Sequence, residues 1–353
     1  MKSILGIIAF VVFGLLTAVI VAFPNVLSPA ALPYDYEQQG LDRQIIIKFA
    51  YVTTENTPKG LAAQKFAQLV SQNTHGRVKV ELFPDGSLYN EFDEIDALER
   101  GNIQMCAPSF SIVSAQIPQW SIMDLPFAFA NENAVSAAFN GDIGKQLLQT
   151  LSSRNMVGLA LWKNGFRQLT NDKRPLVQPT DLAGLKFRTE TSDVSEAEFR
   201  QLGATASALP FNQLYSALAT HAADGEENSA SNIYTQKLYQ VQQYMTIANI
   251  SYLGYAVLMN KQFWAQLPPD IRQEIQQAMN ETTVWERQKA LQVNQEQLQA
   301  LENTQTHMEI LTLTSSEKQT WLTALQPVYS EYASQFGSRL MNDLKQIQQE
   351  YGP

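Results

Sequence analysis

Residues 162–188 read WKNGFRQLTNDKRPLVQPTDLAGLKFR and contain three arginines, of which Arg167 and Arg188 each close a strand-like apolar run. This placement predicts that both arginines lie at strand ends and not on a solvated helix face. An arginine stays charged at physiological pH, and its planar fork of donors fits a carboxylate with two hydrogen bonds. The pair suggests a site for a small organic acid. Pairing with a local acid such as Asp181 or Glu190 is an equal alternative, because surface arginines commonly pair in this way.

Length and charge bound the class of protein. A chain of 353 residues fits two domains or one large α/β body, and an apolar content of 45% is that of a globular protein. The net charge of −9 argues against nucleic acid, because neutralising phosphates requires clustered lysine and arginine. An acidic chain with a local pair of arginines is consistent with an internal anion site.

The residues that carry catalytic or metal chemistry are scarce. The single cysteine, Cys106, lies in an apolar segment, so it excludes an internal disulfide and predicts a small buried side chain. No nucleophile elbow, P-loop, dinucleotide fingerprint or zinc-binding helix is present, and the chain has only three histidines. The sequence therefore predicts no catalytic residue, no metal site and no cofactor.

The N-terminus predicts export. After Lys2 no charged residue occurs until Asp35, and residues 4–23 are predominantly apolar. One positive charge followed by such a run is typical of an export signal, although 20 residues could also span a bilayer. We expect residues 1–31 to be a signal peptide or an N-terminal membrane anchor, with removal slightly favoured, and residues 32–43 to be a polar tether.

Periodicity in the rest of the chain predicts alternating strands and helices around a largely parallel sheet. The clearest segments are strands at 44–52, 77–83 and 103–107 and helices at 60–71, 89–100 and 133–151.

One long helix is predicted near the C-terminus. It begins after Pro268-Pro269-Asp270, and no proline or glycine follows between Ile271 and Thr304. About 34 residues of helix span roughly 50 Å, which is longer than one lobe of a two-lobed protein. A coiled coil is the alternative, but the heptad is irregular. Residues 315–351 predict one or two closing helices.

Several segments together resemble a known family. They are Asn164–Asn171, Asp181–Arg188, the turn FPDGSL at 83–88, and DGEEN at 224–228. The chain resembles, over nearly its whole length after about residue 45, the DctP-like solute-binding proteins of tripartite ATP-independent periplasmic (TRAP) transporters. The resemblance implies an α/β fold, a two-lobed periplasmic-binding-protein-like clamshell with a sheet in each lobe and a long helix spanning both.

The resemblance also implies lobe boundaries. Lobe I would comprise residues 44–165 plus about 253–292, and lobe II residues 166–252 plus about 293–353. Residues 162–165 would then form one of the hinge crossings, where a strand ends and Gly165 permits a bend.

Four residues match the family's binding positions. The resemblance implies that Arg188 makes the principal two-bonded contact with a carboxylate and that Arg167 adds a second charge. Asn228 would orient a carboxylate oxygen, and Phe211 would cover the carboxylate. Taken alone, Phe211 is more often a core residue or a helix staple, and Asn228 could belong to a loop before an acidic helix start. Loops around residues 53–57, 89–91 and Ser109 would contact the rest of the solute.

The implied function is transport. The resemblance implies a periplasmic protein that captures a small carboxylate, such as a dicarboxylate, keto acid or sugar acid. It would deliver the solute to the small and large membrane subunits of a TRAP transporter driven by an ion gradient, with no cofactor and no nucleic acid. The alternatives are an extracytoplasmic enzyme acting on an organic acid and a stand-alone sensory binding protein.

Overall fold

A computed structural model describes residues 44–303 and 307–352. The predicted signal or anchor at 1–31 and the tether at 32–43 lie outside the described residues. Among the helices that the structure does describe, none combines the length and the hydrophobicity needed to cross a bilayer.

The described residues form strands and helices that alternate along most of the chain. The strands are β1 Ile45–Ala50, β2 Val78–Phe83, β3 Met105–Cys106, β4 Met156–Asn171, β5 Lys186–Thr189, β6 Thr205–Ala208, β7 Gly225–Ser229, β8 Tyr244–Ile247, β9 Tyr252–Asn260 and β10 Glu309–Thr312. The α-helices are α1 Pro58–Asn73, α2 Glu94–Glu99, α3 Phe110–Ser114, α4 Glu132–Asn140, α5 Asp142–Thr150, α6 Asp193–Gln201, α7 Leu214–Ala219, α8 Ala230–Thr235, α9 Lys261–Gln266, α10 Pro269–Glu302 and α11 Ser315–Tyr351.

The strands pair in two groups that share β4. The first group has the order β2-β1-β3-β9-β4, and the second continues as β4-β7-β5-β6, with β8 pairing to both β4 and β10. Strand β1 runs parallel to β2 and β3, whereas β9 is antiparallel to β3 and β4. The predicted α/β class is confirmed, but the sheet is mixed and not largely parallel.

Strand β4 corrects the prediction that Arg167 closes a strand. Its residues Met156 to Phe166 pair with β9, with a register shift between Lys163 and Gly165, and from Arg167 onward they pair with β7. Strand β4 therefore does not end at Gly165. It stays extended there and changes its pairing partner from β9 to β7. Arg167 lies inside the strand, immediately after this change of partners.

The long helix α10 packs on elements of both groups. Its 34 residues confirm the helix predicted from Ile271, and it contacts α1, β4 and α8. Asn294 of this helix donates to the Asn164 carbonyl at 2.7 Å and accepts from the Ser231 backbone amide at 3.0 Å. These bonds attach α10 to β4 and α8, next to the point where β4 changes partners.

Three other helix predictions have a more detailed outcome. The predicted helix 133–151 is two helices, because the chain turns into extended backbone at Gly141. The predicted helix 89–100 is shorter, at Glu94–Glu99. Helix α11 is interrupted at Gly337, where φ is 78°, so the prediction of one or two closing helices is confirmed as a kinked pair.

Candidate functional site

A narrow, nearly closed polar cavity takes its walls from segments on both sides of β4. Its lining residues are Val52, Thr53, Lys59, Glu91, Glu94, Ser109, Glu190, Phe211, Asn232 and Tyr255. The loops predicted to contact the rest of the solute thus reach this cavity through Thr53, Glu91 and Ser109. Of the four residues predicted to hold a carboxylate, Phe211 lines it directly.

Arg167 is buried behind one wall of the cavity, with 2% of its surface exposed. Its Nη2 lies 2.6 Å from Glu190 Oε2, and its Nη1 lies 3.2 Å from Asp124 Oδ1. The hydroxyl of Ser111 accepts a further bond at 3.0 Å. Since Glu190 lines the cavity, one carboxylate separates this guanidinium from the cavity.

Arg188 is held in the same way by a different carboxylate. Its Nη2 lies 2.8 Å from Glu91 Oε1, and its Nε donates to the Leu209 carbonyl at 2.8 Å. Arg188 is 1% exposed, and Glu91 is 2% exposed and lines the cavity. The pairing of each arginine with an acid, raised as an alternative from the sequence, is therefore observed, with Glu190 as one of the acids.

Asn228 lies in β7 and is separated from the cavity by the side chain of Asn232. Its side-chain amide donates to Glu226 Oε2 at 3.0 Å, and its Oδ1 accepts from the Asn232 side chain at 2.8 Å. Asn232 lines the cavity, so Asn228 orients a lining amide in this conformation.

Lys59 is a site residue that the sequence did not reveal. Thr57 caps α1 by accepting from the Gly60 amide, which places Lys59 in the first turn. A Cβ at Gly60 would clash with the carbonyl of Glu55, so this turn packs closely against the preceding loop. The Lys59 ammonium donates to the Ala107 carbonyl at 3.0 Å and lies 4.0 Å from the centre of the Tyr255 ring.

Lys59 could not be singled out because a lysine in a first helical turn is normally solvated. Here it is 1% exposed, and burial lowers its pKa. It forms no ion pair within 4.0 Å among the residues that the structure describes. Asp124 and Glu94 were missed for the same reason: nothing local marks a carboxyl that will be buried by distant segments.

The lining carboxyls differ in protonation. Burial raises the pKa of Glu94 to about 8, and it raises the pKa of Glu91 to about 7 despite the nearby Arg188 guanidinium. Burial also acts on Glu190, but Arg167 and Arg188 outweigh it and hold the pKa of that carboxyl below its ordinary value. At neutral pH, Glu190 is therefore ionised, whereas Glu94 is mostly protonated.

The arrangement is suited to holding an anion. Two guanidinium groups and one ammonium lie at or just behind the wall, and a solute carboxylate can replace a glutamate as their partner. No group of three or more His, Cys, Asp or Glu side chains in the described part of the chain is placed to hold a metal ion. Two α/β groups joined by a shared strand, with a polar cavity walled by both, are features of two-lobed solute-binding proteins.

Comparison with known proteins identifies the family. Residues 49–335 match the profile of the DctP family, described as "Bacterial extracellular solute-binding protein, family 7". The chain belongs to this family of extracytoplasmic solute-binding proteins of TRAP transporters. The resemblance, the two-lobed fold class and the class of function predicted from the sequence are thereby confirmed. The family is one of binding proteins and not of enzymes.

Three relatives illustrate the match. The C4-dicarboxylate-binding protein DctB of Bacillus subtilis is 43% identical over 350 residues, which is 99% of this chain and 100% of that protein. The C4-dicarboxylate-binding periplasmic protein DctP of Rhodobacter capsulatus is 39% identical, covering 86% of this chain and 91% of that protein. A TRAP periplasmic solute-binding protein from Shewanella oneidensis, crystallised with bound succinate, has a TM-score of 0.84 at 36% identity, covering 86% of this chain and 99% of that one.

Proposed function

We propose that this protein binds a C4-dicarboxylate between its lobes and delivers it to the small and large membrane subunits of a TRAP transporter. One observation carries the proposal: Arg167 and Arg188 are both buried, and each reaches the same cavity through a single glutamate. The names of the similar proteins support the same class of solute.

The cavity favours two carboxylates over one. A carboxylate about 4 Å from one guanidinium gains roughly 4 kcal/mol at an effective dielectric near 20, before desolvation is subtracted. The net gain is smaller here, because Glu91 and Glu190 already hold the guanidinium groups and must be displaced or screened. Lys59 offers a third buried cation that no carboxylate within 4.0 Å occupies in the described structure, so a second solute carboxylate has a natural partner.

The four residues matched to the family keep their proposed roles. Arg188 makes the two-bonded contact, Arg167 adds a second charge, Asn228 orients an oxygen directly or through Asn232, and Phe211 covers the carboxylate. An affinity in the micromolar range requires about −8 kcal/mol, which a few such contacts can supply when closure excludes water.

The proposal includes the lobes and the location. Residues 44–165 with about 253–292 form lobe I, and residues 166–252 with about 293–353 form lobe II. Separation of the lobes against the membrane subunits releases the solute. The N-terminal 31 residues direct export to the periplasm or anchor the protein at the outer face of the inner membrane. The chain performs no catalysis.

Titration calorimetry with succinate, after a thermal-shift screen of organic acids, tests the proposal. We expect saturable binding by the wild type and no measurable binding by Arg188→Ala. The matched control is Arg200→Ala, which removes an arginine from an exposed ion pair with Glu331 and leaves binding unchanged. Unchanged affinity in Arg188→Ala contradicts the site. Conversion of an organic acid to product by the purified protein, followed by NMR, would favour the enzyme alternative.

A further inference from the structure

Glu94 differs from the other carboxyl groups of the cavity. It is 0% exposed and lines the cavity, yet neither of its carboxyl oxygens has a hydrogen-bond partner within the described ranges 44–303 and 307–352. An ionised carboxylate that is buried without hydrogen bonds is destabilising by several kcal/mol. The group must therefore carry a proton when the cavity is enclosed.

The surroundings of Glu94 do not neutralise a negative charge. The titratable groups that face it are Lys59 from α1, Glu91 from the segment before α2, Cys106 from β3, Glu190 from the segment after β5, and Tyr255 from β9. Among them only Lys59 is a cation, and it faces Glu91 and Glu190 as well. The two neighbouring glutamates repel an ionised Glu94, as does any solute anion that enters.

The charge balance becomes worse when a dicarboxylate enters. Three cations at the wall, Lys59, Arg167 and Arg188, face the three lining glutamates and Asp124. If every one of these groups were ionised, the site would already carry one excess negative charge, to which the buried Glu227 near Arg167 would add another, and a dicarboxylate would add two more. A low-dielectric site tolerates such an excess poorly, and protonation of a wall carboxyl is the available relief.

On the basis of the proposed function, we propose that capture of the dicarboxylate is coupled to uptake of a proton by Glu94. The proton comes from solvent, and the neutral carboxyl of Glu94 then donates a hydrogen bond to a carboxylate oxygen of the solute. When the lobes separate, water reaches Glu94 and the proton returns to solvent. Glu94 thereby has two roles: it recognises the bound anion by donating a hydrogen bond, and it couples binding to the uptake of a proton.

The direction of the pH effect follows from burial. Burial raises the pKa of Glu94 from an ordinary 4.5 to about 8 in the enclosed cavity. In the open protein that the proposed function requires, Glu94 is solvated and ionised between these values, whereas in the enclosed cavity it is protonated; closure over the solute therefore takes up about one proton at Glu94. Affinity for the dianion consequently falls as pH rises through this window, by up to about tenfold per pH unit for each proton taken up.

Titration calorimetry with succinate at pH 6.5, in buffers of different ionisation enthalpy, measures the number of protons directly. We expect at least one proton per succinate for the wild type, because Glu91, whose pKa burial raises to about 7, adds a fraction of a proton to the one that Glu94 takes up. Glu94→Gln keeps a hydrogen-bond donor of similar shape, so it should still bind succinate while the number falls by about one. The dissociation constant of this variant should also vary less with pH.

Glu286→Gln is the matched control. Glu286 is buried, and burial raises its pKa to about 8, but it lies on α10 and accepts from the Lys163 amide away from the cavity. Its substitution should leave the proton number unchanged. A proton number near zero in the wild type, or an unchanged number in Glu94→Gln, overturns the coupling.

Two further results keep the test decisive. If Glu94→Gln does not fold, infrared difference spectra of the wild type with and without succinate replace it, and they must show a carboxyl group gaining a proton on binding. Absence of that band overturns the coupling. Binding without proton uptake leaves the proposed function intact, whereas failure of the wild type to bind any organic acid overturns the proposed function itself.

Discussion

Replacing Arg188 with alanine should destabilise the fold, and the loss should grow with pH. The Arg188 guanidinium is 1% exposed and lies 2.8 Å from Glu91, which is itself buried. Breaking a buried pair by removing one partner costs about 3–5 kcal/mol, because the other charge stays buried. Loss of the bond to the Leu209 carbonyl adds about 1 kcal/mol.

The sign of the pH effect comes from Glu91. Burial raises its pKa from an ordinary 4.5 to about 7 even beside Arg188, so removal of the arginine raises it further. A carboxyl whose pKa is higher in the folded state binds more protons there. Its contribution to stability is therefore fully present below about pH 4.5 and is lost as pH rises through the folded value. In Arg188→Ala this loss continues above pH 7, where the contribution of Glu91 to the unfolding free energy of the wild type no longer changes with pH.

Urea unfolding followed by tryptophan fluorescence, at pH 5.5 and pH 8.5, measures the effect. Because each tenfold change in a protonation equilibrium corresponds to about 1.4 kcal/mol, the destabilisation should be about 1–2 kcal/mol larger at pH 8.5 than at pH 5.5. The double variant Arg188→Ala/Glu91→Gln removes the stranded charge and should recover most of that difference. Equal destabilisation at both pH values, or no recovery in the double variant, would refute the reasoning.

Three further predictions concern stability. Asn294→Ala leaves the Asn164 carbonyl and the Ser231 amide without their bonds, so we expect a loss of about 2–4 kcal/mol in urea unfolding. Glu286→Gln should flatten the fall in unfolding free energy between about pH 4.5 and pH 8, because the pKa of Glu286 is raised by burial to about 8; an unchanged slope contradicts this. Gly337→Ala should lower the melting temperature by an amount equivalent to about 1 kcal/mol, since φ is 78° there; no change would mean that the kink relaxes.

Local patterns in the sequence were sufficient for the elements with strong periodicity. The dense β-branched run at β1 and the proline- and glycine-free stretch of α10 were both predicted to within a few residues. The break at Gly141 was missed because the residues on both sides continue a helical pattern of apolar positions. The prediction that β4 ends near Arg167 was wrong because glycine allows a bend without requiring one, and pairing with β9 and then β7 keeps the strand extended.

The partners of the site residues could not be predicted from spacing. Arg188 and Glu91 are 97 residues apart, and Arg167 and Asp124 are 43 apart, so only the packing of distant segments brings them together. The two arginines could be singled out because they lie in short sequence motifs that resemble those of the family. The glutamates opposite them lie in segments whose local sequence indicates a loop or a short helix.

The pairing of the two arginines with glutamates of the protein itself has a consequence for selectivity. Because Glu91 and Glu190 already satisfy the guanidinium groups, a monocarboxylate gains only the difference between its contacts and those it replaces. A dicarboxylate gains in addition at Lys59, whose ammonium bonds a neutral carbonyl and faces an aromatic ring. Specificity is a difference of affinities, and the internal carboxylates lower the affinity of every anion by a similar amount. At the proposed site, only a solute that engages more than one cation would then bind well, so the wall glutamates would favour dicarboxylates even though they repel each carboxylate singly.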